Sequence, residues 1–123
     1  MSTDQSTFDP AEQQVLADAA AVARELLAAS PDRDRTRAVQ ALASCRPTAQ
    51  ALAGARPVLT ALRDRCIRES STDFWLAELG DAADNLDRPV EMVESLADVR
   101  HAQAHVLSQA LAAVSRVQQA VPA

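Results

Sequence analysis

The chain has 123 residues, 48% of them apolar, and a formal net charge of −5. That length fits one domain able to bury about two-thirds of its unfolded surface without a disulfide or a metal. Lysine and tyrosine are absent, which excludes a phosphate-binding loop of the GKS or GKT type, a Schiff base and an amine general base.

The apolar fraction is unusual in its make-up: 27 alanines, 13 leucines and 11 valines, against three aromatics (Phe8, Phe74, Trp75) and one isoleucine, Ile67. Alanine is the best helix former, and only Gly54 and Gly80 interrupt it as glycines. The expected fold is therefore all-α: a helical bundle of four to five helices with a long C-terminal amphipathic helix, assembled as a dimer. A disordered N-terminal tail is expected over residues 1–8 and a single helical domain over 9–123. Met1 to Phe8 has no basic region and no apolar core, and no run approaches the roughly eighteen apolar residues of a membrane span. A cytoplasmic protein that contacts no membrane is the expectation. The arginine-for-lysine bias also matches the drift of a GC-rich bacterial genome, which weakens any purpose read into the missing lysines.

In chain order, Asp9-Pro10-Ala11-Glu12 is a helix start: a capping acid, a proline at the first helical position and a carboxylate three residues after the cap. The helix is predicted to run to about Ala29, with Val15, Ala19, Val22 and Leu26 on its inner stripe, Leu16 and Leu27 beside them, and Gln14, Asp18 and Glu25 facing away. A second helix starts near Asp32 or Asp34 and carries Val39 and Leu42 inward. Pro47 and Pro57 each remove a backbone donor, so a break or kink is expected at both. Helical spacing resumes with Leu59, Leu62, Cys66 and Ile67. Ser71 or Thr72 then caps a helix bearing Trp75, Leu79, Ala83 and Leu86. From Pro89 no proline or glycine recurs until Pro122, which predicts one helix of about 30 residues, about 45 Å long. Its apolar arc holds Met92, Val93, Leu96, Val99, Val106, Leu107, Ala110, Leu111, Val114, Val117 and Val121. Such a rod exceeds what a small domain needs, so its distal half is expected to pack on a second copy.

All positive charge is arginine, and it is partitioned. Residues 1–32 hold six acids and one arginine (−5), residues 33–68 eight arginines and two acids (+6), and residues 69–123 nine acids and three arginines (−6). The basic block, Arg33, Arg35, Arg37, Arg46, Arg56, Arg63, Arg65 and Arg68, is the leading candidate for partner binding, because the planar guanidinium fork suits carboxylate or phosphate. The bland alternative is that the acidic helices pack on it and neutralise it. An acidic chain with no aromatic among these arginines argues against nucleic acid, although a weak DNA-binding regulator stays open as an alternative.

His101 and His105 sit i, i+4, with Glu94 and Asp98 on the same stripe. That stripe falls nearly opposite the apolar arc, where it faces solvent, so no metal and no cofactor is expected. Gln103 is the reverse case, an amide inside the apolar arc with Arg100 at its edge. Something must satisfy it, either a register-fixing contact across a helix interface or a ligand in a groove. Cys45 beside Arg46 and Cys66 beside Arg65 are read as buried thiols, with a reactive cysteine the lesser alternative. No Ser/His/Asp order, glycine-rich loop or Cys-x-x-Cys pair is present. The functional expectation is a small interaction or adaptor protein, homodimeric, whose arginine block binds an acidic protein or peptide. The competing reading is a small accessory enzyme holding a peptide or small molecule in an interhelical groove, for example in natural-product maturation, where Arg100, Gln103, His101 and His105 would act.

Overall fold

A computed structural model of the chain describes residues 7–28, 33–42, 48–79 and 89–120. The described residues form five helices and no strand: α1 (Pro10–Leu26), α2 (Arg33–Leu42), α3 (Ala49–Glu69), α4 (Thr72–Leu79) and α5 (Pro89–Ala120).

Local chemistry sets the helix starts. Asp9 and Glu12 form a reciprocal capping box: the Glu12 backbone N–H donates to Asp9 Oδ1 at 2.7 Å, and the Asp9 N–H donates to Glu12 Oε1 at 3.0 Å. Thr48 caps α3, its Oγ1 accepting from the Ala51 N–H at 3.0 Å. Of the expected N-terminal tail, residues 1–6 lie outside the described residues. Phe8 does not behave as tail: only 4% exposed, it belongs to the core.

Four helices enclose that core. α1 packs against α2 and α5, α3 packs against α2 and α5, and α4 lies on α5 and α3. The interior is leucine, valine and alanine: Leu16, Ala19, Ala23, Val39, Leu42, Leu52, Leu59, Leu107, Val114 and Val117 are buried together. Val39 and Leu42 of α2 point inward as their spacing predicts. On α1 the buried stripe is displaced from the expected one. Leu16, Ala19, Ala20, Ala23 and Leu26 are buried, whereas Val15, Val22 and Leu27 are only partly so. Because α1 touches two helices, its buried arc centres between them, on alanines small enough to let both approach.

Two expectations fail. Pro57 does not break its helix: α3 runs through it from Ala49 to Glu69. Ala53, Gly54 and Pro57 are all exposed, so the carbonyl that loses its donor to the proline faces water rather than the core. Pro47 lies outside the described residues. α5 is one helix of 32 residues, about 48 Å long, as predicted. Its distal half, however, is not left for a second copy, because Leu107, Ala110, Leu111, Val114 and Val117 are buried within this chain. The packing of α1 and α3 along the rod supplies the cover that a partner was expected to give. Among the described residues, the large apolar side chains exposed on α5 are proximal instead, Met92 and Val99.

Candidate functional site

The arginine block does not form one surface. α3 turns about 100° per residue, so residues close in sequence part company in space. Its buried face, Leu52, Ala55, Leu59, Leu62 and Cys66, is flanked by Arg65 on one side and by Arg56 and Arg63 on the other, while Arg68 is exposed. Arg35 and Arg37 are exposed on α2. Arg33 begins α2, but its side chain and all of Arg46 lie outside the described residues.

Arg65 belongs to a polar cluster joining four helices. Buried Glu69 is its centre: Oε2 accepts from Arg65 Nε at 2.8 Å and Oε1 from Arg100 Nε at 3.0 Å. Arg65 also donates through Nη1 to the Leu26 carbonyl at 3.0 Å, holding the end of α1. Arg100 Nη1 donates to Gln103 Oε1 at 2.7 Å, and Gln103 Nε2 donates to Glu25 Oε2 at 3.0 Å. Trp75 of α4 completes the group, its indole N–H donating to the Glu69 carbonyl and its ring centroid lying 6.0 Å from Arg100 Cζ. Burial pushes the Glu69 carboxyl up, but the hydrogen bonds and charges of Arg65 and Arg100 outweigh it and hold the group below its ordinary range. With two arginines and two glutamates the cluster is charge-balanced.

Gln103 is therefore satisfied within the chain and fixes α5 against α1. Neither it nor Arg100 is held ready for a substrate. Glu25, expected to face away, is exposed yet reaches across to Gln103. Cys66 beneath the cluster is fully buried, and burial pushes its thiol up, which leaves it a poor nucleophile. Cys45 lies outside the described residues.

On the other flank of α3 runs a groove against α5. Arg56, Thr60, Arg63 and Ile67 of α3, and Ser70 at its C-terminal cap, line it at successive steps of four, three, four and three residues. His101, His105, Ser108, Ala112 and Ser115 line it from α5 with the same steps, running antiparallel. Both series stay on one helical face because their spacing averages about 3.5 residues. The arginine end encloses about 420 Å³ and the histidine end about 310 Å³, and Ser108 belongs to both. Among the described residues, no acidic side chain lines either part.

Arg56 is steadied by a 2.9 Å hydrogen bond from Nη1 to Gln118 Oε1. Arg63 is half-buried, with 34% of its side chain exposed, and among the described residues its polar contact is with its neighbour Asp64, at 3.3 Å through Nη2. Its Nε is buried without a hydrogen-bond partner among the described residues. Such a donor costs about 1–3 kcal/mol when left unsatisfied. The Thr60 hydroxyl donates to the Arg56 carbonyl at 2.9 Å, whereas the Ser108 and Ser115 hydroxyls make no hydrogen bond among the described residues.

His101, His105, Glu94 and Asp98 are all exposed, as their projection predicts. Among the described residues no three His, Cys, Asp or Glu side chains converge on a metal-sized site. No described helix is long and apolar enough to cross a membrane. A third cavity, about 370 Å³ between α1 and α5, contains Glu12 and Arg116, but these pair with each other and pin the start of α1 to the end of α5. Comparison with known proteins finds no matching family model, no matching curated protein and no matching solved structure.

Proposed function

We propose that this chain is a small helical interaction protein that binds an acidic protein or peptide through the arginines of α2 and α3. One observation supports the reading above all: among the described residues, no ion pair joins Glu91, Glu94 or Asp98 of α5 to Arg37, Arg56, Arg63 or Arg68. Of the described arginines of the block, Arg65 is the one drawn into the internal cluster. Arg37, Arg56 and Arg68 are exposed and Arg63 is half-buried, and guanidinium forks so placed attract carboxylates.

Self-association belongs to the same proposal in altered form. The proximal half of α5, where Met92 and Val99 are exposed, is the part left to meet a second copy.

The test is fluorescence anisotropy with labelled polyglutamate, read at low and physiological ionic strength. Polyglutamate is expected to bind and to weaken with salt, and a variant carrying Arg37→Gln, Arg56→Gln, Arg63→Gln and Arg68→Gln is expected to lose binding by at least about tenfold. Binding that ignores salt, or survives all four changes, would overturn the reading. A duplex DNA of equal length serves as the contrasting probe and is expected to bind more weakly.

A further inference from the structure

The geometry points to a specific anchor within that surface: the α3–α5 groove binds an oxyanion, the carboxylate of an extended acidic peptide, with Arg63 as its main ligand. This inference rests on the proposed function and narrows it from a charged surface to one site.

Three features carry it. Arg63 holds a buried Nε donor without a partner, and its Nη2 bond to an adjacent exposed aspartate is long at 3.3 Å. A carboxylate lying along the Nε and Nη edge of the guanidinium would satisfy that donor in a two-pronged contact. Arg56 is positioned beside it by Gln118 through a single Nη1 bond, leaving most of its five donors for a second contact. Across the groove Ser108 and Ser115 line the same end, each with a hydroxyl able to donate to an oxyanion. Among the described residues no acidic side chain lines the groove, so the carboxylate with which a ligand would share Arg63 is that of exposed Asp64.

The groove also has a length. Arg56 to Ser70 spans fourteen residues of helix, about 21 Å, which matches roughly six residues of extended peptide. One acidic side chain at the Arg56–Arg63 end would leave the remainder to run past Ser108 toward Ile67, His101 and His105.

The experiment titrates the full chain with a labelled, capped hexaglutamate peptide, its hexaglutamine counterpart and inorganic phosphate, following the arginine Nε–H resonances by NMR. Hexaglutamate is expected to bind and to shift the Arg63 Nε–H signal, and hexaglutamine to do neither. Arg63→Gln should weaken hexaglutamate by about 10- to 100-fold, whereas Arg37→Gln should change it less than about threefold. Should Arg63→Gln fail to fold, Ser108→Asp puts a competing carboxylate on an exposed position of the groove and should weaken binding at least about tenfold. If hexaglutamate binds but neither groove variant matters while Arg37→Gln does, the groove assignment falls and the broader reading stands. If phosphate shifts Arg63 and hexaglutamate does not, the oxyanion site stands and the acidic-peptide reading falls. If neither probe shifts Arg63, the site is refuted.

Discussion

Glu69 shows how one side chain holds helices together. It accepts from arginines of two different helices while its own carbonyl receives Trp75, so Glu69→Ala would leave two cations facing each other without their counter-ion. Urea denaturation should report a loss of about 3 kcal/mol, toward the low end for a broken buried pair because Arg65 keeps more than a third of its side chain in water. Acid should act on the same group. The folded carboxyls of Glu69 and Glu12 both lie below their ordinary value of 4.5, so their contribution is complete above that pH and drains away as pH falls through the lower folded values. Melting temperature measured from neutral pH downward should drop steeply below about pH 4.5, and less steeply for Glu69→Gln; a flat profile would refute the assignment. That Gln103 needs a buried polar partner was readable from its place in an apolar arc. Its partner was not, since Glu25 lies 78 residues away and only packing brings the two together.

At the scale of elements, helix starts follow from a few adjacent residues and their effects are local. Asp9→Ala removes the side-chain half of the capping box, the carboxylate that accepts from the Glu12 N–H, and should cost about 1 kcal/mol, measured by thermal or chemical melting. Gly54→Ala should do the reverse. A Cβ built there meets nothing within 4 Å, so the change should stabilise α3 by about 0.5–1 kcal/mol through helix propensity alone. The starts of α1 and α5, and the unbroken run of α5, were legible because capping and breaking residues act within one turn, whereas the Thr48 cap of α3 was not read from the sequence. The passage of α3 through Pro57 was not. Whether a proline ends a helix depends on whether the freed carbonyl meets water or apolar side chains, and that is a property of neighbours distant in sequence. The groove is a mixed case. Its two stripes of alternating four- and three-residue steps stand in the sequence, but the arginines were grouped there by number, and Arg63 and Arg65 diverge by about 200° around the helix.

For the molecule as a whole, no ion pair among the described residues joins Arg37, Arg56, Arg63 or Arg68 to an acid of α5, so these helices do not cancel the charge partition of the sequence at those positions. Added salt should then relieve repulsion within each surface more than it weakens the sheltered Glu69 contacts. Raising sodium chloride from about 20 mM to about 500 mM should raise the melting temperature by a few degrees, and a fall would mean that the block is neutralised internally. The all-helical class and the single long C-terminal helix were readable from alanine content and the spacing of prolines. How α5 is covered was not, because an apolar stripe is equally consistent with a neighbour from the same chain or from another. The arrangement around Trp75 has a practical consequence as well. It is the single tryptophan of a chain without tyrosine, and it rests on the guanidinium of Arg100. Near-ultraviolet emission excited at the red edge therefore comes from one indole, seated where α4 meets α5, and its colour and intensity are a built-in gauge of whether that junction is closed.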